Sequence, residues 1–442
     1  MIIHLKQIVI KSFEKKNRIF WISLLLFVGY ALFYLGGLAS VPFHPDESTQ
    51  IYMSSDLDTM LHQFSDLFWQ PEKAADLKQH YHELDAPISR YLIGMGRLFT
   101  AQPPLSADWD WSKTWDQNQA SGALPDNALL LASRFSVSLL TLLSLLFLFD
   151  LVRQTTNPYT ALLAVIIYAL NPLILLHTRR AMAESALMFF TILFLWGLIR
   201  FPQNALRHGA ALALAFCAKQ TAVLLVLPAL VAISAPAIKH NKLWQAASRF
   251  AIFLFTFAAI CVLLNPFMWT DPLHAVTAAL QDRQDLAARQ QNMMASVSPE
   301  KALQSLPDHL ASTIGAIFFQ PPAVADVANY LDNTQLAQQA YFSNPLNLFL
   351  HDPLSSALFM ILILLGFIFS CLRLVHQKEA AVNEALLILS FLSVLLGLVW
   401  SISLPFQRYY LPLMPFLSIW ASIAITTPIL SVINKTQKYQ SS

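Results

Sequence analysis

The chain has 442 residues, 56% of them hydrophobic and only 12% charged, with a formal net charge of +2. Its apolar residues fall in blocks of about 18 to 25, enough to cross a hydrocarbon core of roughly 30 Å, which excludes an ordinary water-soluble enzyme. No basic patch accompanies them, so nucleic acid is excluded as a partner.

In chain order, residues 1–18 mix Lys with Ile, Leu and Phe. They predict a basic amphipathic segment on the cytoplasmic leaflet, retained because no small-residue cleavage site follows. Spans are predicted over 19–39, 129–152, 159–176, 185–199, 250–265, 354–374, 384–404 and 410–433, all helical because lipid offers backbone groups no partner. The run 209–238 is interrupted by Lys219 and Gln220. Arg207 precedes it and Lys239, Lys242 and Arg249 follow, so both ends favour the cytoplasm and a hairpin is expected. The result is an all-α polytopic membrane protein of about ten transmembrane helices with both termini inside. Fifteen of the 28 Lys and Arg, but only four of the 26 acids, then lie on the inner side.

Two long outer loops divide the chain. Residues 19–265 read as a membrane module that includes the outer loop 40–128, residues 266–353 as the second outer loop, and residues 354–442 as C-terminal membrane helices. Loops this long in a compact protein are usually functional. Within them, 51–68 and 273–291 carry apolar residues at helical spacing and predict interfacial helices. Cys217, Cys261 and Cys371 all fall in or beside spans, so no disulfide framework is indicated, and the outer loops lack an Asn-x-Ser/Thr acceptor. Both features point to a bacterial plasma membrane.

Ionisable residues gather at the outer ends of these spans. Asp46 and Glu47 follow the first span in the run Phe43-His-Pro-Asp-Glu, where a carboxylate can take a proton from an attacking hydroxyl or merely mark the water boundary. Arg90, after Asp85-Ala-Pro, can pair with a phosphate or snorkel. Arg180 and Glu184 are four apart and would stack as an ion pair on a helix, or else divide the work of binding phosphate and a divalent cation. That cation is the one cofactor considered, with His44, Asp46 and Glu184 as candidate ligands. Arg134, Lys219 and Arg408, with Tyr409 beside it, complete a ring suited to an anionic lipid headgroup. The tryptophans of 108–115 can stack on a sugar or serve as interfacial anchors.

These pieces together resemble the GT-C membrane glycosyltransferases, especially the family of protein O-mannosyltransferases and the bacterial aminoarabinose transferase that modifies lipid A. The resemblance rests on Asp46-Glu47, on Ala86-Pro87-Ile88-Ser89-Arg90 in place of a Pro-Pro-Leu-Gly-Lys element, and on Ala132-Ser-Arg134. It continues through Arg180 followed by Glu184, the hairpin 213–221, and the Arg-Tyr-Tyr-Leu-Pro-Leu-x-Pro run at 408–415. Ala86, Arg90 and Glu184 depart from the pattern, which has Pro, Lys and Asp there. The resemblance implies transfer of a hexose or pentose, with inversion, from a polyprenyl-phosphate donor to a lipid, protein or polysaccharide acceptor outside the cytoplasm. It implies Asp46 as base with Glu47 its neighbour, and Arg90, Arg180 and Arg408 as phosphate or acid partners. The competing expectations are a transporter or flippase of lipid-linked sugars, and a scaffold subunit that tolerates neutralisation of Asp46.

Overall fold

The computed structural model describes residues 21, 24–73, 76–297, 303, 305–325, 330–376, 381–402 and 404–441. The amphipathic segment expected over 1–18 lies outside them. The described residues form an all-helical structure. Six helices are long and apolar enough to cross a membrane, at Asn127–Thr155 (α7), Gln220–Lys239, Leu243–Leu264 (α13), Pro353–His376 (α17), Ala381–Ser401 (α18) and Gln407–Leu430. Shorter apolar helices run over Leu24–Gly36 (α1), Pro158–Ala169 (α8) and Ala205–Ala218 (α11), and Glu184–Arg200 (α10) packs between α7 and α11.

Local chemistry sets the breaks. The span expected over 159–176 is two helices, α8 and Pro172–His177 (α9). Pro172 has no N–H to continue the ladder, and the Asn171 side chain accepts from Leu173 and Ile174 N–H to start a new helix. The interruption at 219 is a true break. Lys219 is extended (φ −159°, ψ 131°) between α11 and a 3₁₀ turn, Gln220–Leu225, that leads into Val226–Lys239 (α12). The last span likewise opens with a 3₁₀ turn, Gln407–Leu413, before Met414–Ser441 (α19). Helices α17 and α19 pack closely enough that a Cβ on Gly366 would lie 1.8 Å from the Trp420 carbonyl oxygen, so only glycine fits there.

The first outer loop folds into Pro45–Met53 (α2), Asp56–His62 (α3), Leu77–Leu84 (α4), Ile88–Phe99 (α5) and Trp115–Ala120 (α6). The single helix expected over 51–68 is instead split between α2, α3 and a 3₁₀ turn. Ser54 caps the C-terminus of α2 and accepts from buried Arg97 of α5, so the turn serves a tertiary contact. In the second loop the expected helix is present as Pro272–Val297 (α14), followed by Leu306–Ile314 (α15) and Leu331–Phe342 (α16). The two loops pack on one another through α4 and α14, and Trp69 N–H donates to the Phe267 carbonyl at 3.3 Å.

Candidate active site

The site is built where the turn before α2, the start of α10, the α11 break and the turn before α19 meet. His44 caps α2: its Nδ1 accepts from Asp46 N–H at 3.1 Å, and Pro45 occupies the first helical position. That cap fixes how Asp46 and Glu47 point, and they point apart.

Glu47 is turned inward and is fully buried. Its Oε1 accepts from Arg134 Nε at 2.7 Å and Ala181 N–H at 2.9 Å, and its Oε2 from Arg134 Nη2 at 2.7 Å and His44 N–H at 3.1 Å. Arg134 also donates to the carbonyls of Leu38 and Val41. Burial pushes the Glu47 carboxyl up, but the Arg134 charge and hydrogen bonds, with Arg180 and Ala181 N–H, outweigh it and hold the group below the ordinary range. With both oxygens doubly engaged, Glu47 anchors the loop to α7 and offers no open site to a substrate.

Asp46 faces outward, its side chain 34% exposed, and is paired with Arg408, which is 11% exposed. The Arg408 guanidinium lies 5.6 Å from the centroids of both Phe406 and Tyr409, and Lys219 Nζ lies 5.1 Å from the Tyr409 ring. Lys219 is bound in turn to buried Glu184, Nζ to Oε1 at 2.7 Å. The structure therefore gathers Asp46, Arg408, Tyr409, Lys219 and Glu184 from four separate stretches of chain.

Other expected residues lie elsewhere. The Arg180–Glu184 helical stack does not form, because α10 begins at Glu184 and 178–183 is irregular. Arg180 instead donates to the carbonyls of Pro42, at 3.2 Å, and Val324, clipping the second loop to the first. Arg90 is buried against Asp56, Nε to Oδ2 at 3.0 Å, where His82 also binds at 2.8 Å. Arg134 is spent on Glu47. A guanidinium at low dielectric recruits the nearest carboxylate, so depth alone did not make these two ligand-facing.

The structure also adds residues. Gln407, buried in the turn before α19, accepts from Ala323 N–H and donates to the carbonyls of Ala316, Gln320 and Pro321, tying the second loop to the residue beside Arg408. The signal for it was an amide inside an apolar run. Asp85 and Asp108 both feel the charge of Asp46, and burial, the largest cause for each, pushes both carboxyls up. As for a cation, the ligand atoms that come together among the described residues are those of His80, Glu83 and Asp282, within 4.8 Å of one another, rather than those of His44, Asp46 and Glu184.

Residues 124–269 match the family model described as dolichyl-phosphate-mannose-protein mannosyltransferase. The apo oligosaccharyltransferase of Archaeoglobus fulgidus superposes with a TM-score of 0.51 at 11% identity, over 95% of this chain and 51% of that one. This is a GT-C fold. The same archaeal enzyme tethered to an acceptor peptide containing the NVT sequon gives 0.50 at 12% identity, over 94% and 50%. ArnT from Cupriavidus metallidurans bound to undecaprenyl phosphate gives 0.48 at 12%, over 91% and 60%. No curated protein matches the chain in sequence. The chain thus spans about half to three-fifths of the length of these solved structures. The GT-C resemblance is borne out at the level of fold. The family match covers Arg134, Arg180, Glu184 and Lys219 but neither Asp46 nor Arg408.

Proposed function

We propose that this protein is a multi-pass membrane glycosyltransferase that transfers a sugar from a polyprenyl-phosphate donor to an acceptor on the outer face of a bacterial plasma membrane, with inversion and with Asp46 as the base. The observation that carries this reading is the Asp46–Arg408 pair, a part-exposed carboxylate held beside a cationic and aromatic wall of Arg408, Tyr409 and Lys219.

The chemistry follows from that arrangement. The acceptor hydroxyl oxygen attacks C1 of the donor sugar from the face opposite the phosphate. Its proton passes to Asp46, and the C1–O bond electrons leave with the polyprenyl phosphate. The leaving phosphate gains negative charge, which Arg408 and Lys219 take up in a site where water screens them weakly. Before donor binds, Arg408 holds Asp46 through their ion pair. A donor phosphate competes for the same guanidinium, so donor binding itself releases the base. Glu47, Arg134 and Arg180 position this machinery, and Glu184 holds Lys219 in place.

A flippase reading is disfavoured because Asp46 lies on α2, a helix of the first folded loop, whereas transporters gather their binding groups on broken membrane helices near the bilayer midplane. The deciding experiment supplies undecaprenyl-phosphate-linked hexose or pentose to the protein in vesicles and follows release of undecaprenyl phosphate, alongside mass spectrometry of envelope glycoconjugates from cells with and without the protein. Donor consumption and loss of one sugar from one glycoconjugate class support the reading. Movement of the intact donor between leaflets without its consumption overturns it.

A further inference from the structure

One cluster has no part in the mechanism so far. Phe43 and His44, just before Asp46, are the inner edge of a group of rings that includes Trp109, Trp111, Trp115 and Tyr330. Trp109 is buried and packs 6.2 Å from Phe43, 5.6 Å from Trp115 and 6.4 Å from Tyr330, centroid to centroid. Tyr330, brought in by the second loop, meets His44 edge-on at 5.7 Å and Trp111 at 6.2 Å. At the outer edge Trp111 stands 46% exposed. Buried Trp109 and Tyr330 pack directly against it, and half-buried Trp115 backs Trp109.

Two further atoms mark this side of Asp46. The indole N–H of Trp109 and the Oδ1 of Asp108 are buried, and neither has a hydrogen-bond partner among the described residues. Tyr81 O–H donates to the other Asp108 oxygen, Oδ2, so Oδ1 and the Trp109 N–H remain as a buried acceptor and a buried donor, each costly unless a ligand satisfies it. A sugar hydroxyl both donates and accepts. The side is also acidic: Asp108 sits within the field of Asp46, and Asp110 already has Lys113 at 3.1 Å. The cations near Asp46 are Arg408, its ion-pair partner, and Lys219, which shares the Tyr409 ring with Arg408. An anionic acceptor headgroup would meet repulsion on the acidic side, whereas a neutral polyol would not. The C–H face of a sugar ring also complements the negative face of an indole.

We infer that the Trp109–Trp111–Trp115–Tyr330 cluster, with the Asp108 carboxylate, is the acceptor subsite, and that the acceptor is a neutral carbohydrate stacked on Trp111. This rests on the reading of the protein as a glycosyltransferase. The test uses the full chain in nanodiscs, titrated separately with soluble neutral gluco-, manno-, galacto- and xylo-oligosaccharides, with an uncharged Ser/Thr peptide, and with undecaprenyl phosphate. Binding is read by saturation-transfer NMR on the ligand. At least one oligosaccharide series should bind saturably. Trp111→Ala should weaken it by roughly tenfold or more, the scale of one lost stacking ring, and Trp111→Phe should keep most of it. Undecaprenyl phosphate binding should be unchanged in both variants. Absence of oligosaccharide binding, binding indifferent to Trp111→Ala, or Trp111-dependent binding of the peptide instead would overturn the inference. If oligosaccharide binds as expected while undecaprenyl phosphate does not bind at all, the donor assignment fails and the carbohydrate subsite stands.

Discussion

Arg134 meets Glu47 edge to edge, Nε to Oε1 and Nη2 to Oε2, each at 2.7 Å, with neither side chain open to solvent. Breaking one partner of such a pair leaves a buried charge uncompensated, at about 3–5 kcal/mol. Glu47→Gln and Arg134→Met should each lower the thermal midpoint sharply in detergent, and the double variant should recover much of the loss. The folded Glu47 carboxyl lies below its ordinary value. Its contribution to stability is therefore complete above the unfolded value, about 4.3, and fades as pH falls below it. Acid midpoints of wild type and Glu47→Gln should differ accordingly, and superimposable acid titrations would contradict the buried pair.

Asp46 and Arg408 should separate base from binding. Asp46→Asn keeps the shape but cannot take a proton, so turnover should fall by about 10²- to 10⁴-fold while undecaprenyl phosphate still binds. Arg408→Lys should retain part of the activity and Arg408→Ala almost none, because a guanidinium can hold phosphate through two bonds and an ammonium only as a point charge. Single-turnover kinetics in vesicles measure both. Near-normal turnover in Asp46→Asn would remove it as the base.

Lys219 and Glu184 form the second test of the wall. Lys219→Ala strands a buried carboxylate and should cost both stability and donor affinity. Lys219→Ala with Glu184→Gln should restore stability yet leave donor binding weak, since the cation is still missing. Full recovery of donor binding in the double variant would reduce Lys219 to a structural partner.

The junction of α4 and α14 should respond to pH. Burial and a hydrogen bond to Asp282 push Glu83 up to about 7, and His80 Nδ1 lies 2.9 Å from Asp282. A carboxyl raised in the folded state stabilises the contact fully below its unfolded value near 4.3, and that help is lost as pH rises through about 7. Hydrogen exchange across α14 should therefore quicken between about pH 4.3 and 7, beyond the intrinsic rate. Glu83→Gln should remove the pH dependence. A zinc titration at pH 8 tests whether a cation can take the place of the lost proton.

Topology can be read chemically. With Cys217, Cys261 and Cys371 replaced, single cysteines at exposed Ser112 and Gln339 should react with an impermeant thiol reagent in intact cells, and one at Gln245 only after lysis. Labelling of Gln245 from outside would refute the hairpin orientation.

By itself the sequence determined the all-helical membrane character, the break at Lys219, the helix over 273–291 and the stretches from which the site is drawn. These are legible because span length, apolar periodicity and helix-stopping residues act through neighbours in the chain. It did not determine which charges are free to act. Asp46 and Glu47 are adjacent, yet one turns to solvent and the other into the protein, where Arg134, 87 residues away, and the Ala181 N–H receive it. Arg90, Arg134 and Arg180 resemble Arg408 in type and depth, but only packing decided that Asp56, Glu47 and loop carbonyls occupy the first three while the fourth reaches Asp46, 362 residues away. In a medium of low dielectric, each buried charge must find its partner among groups that distant segments bring near, and that pairing belongs to the tertiary structure.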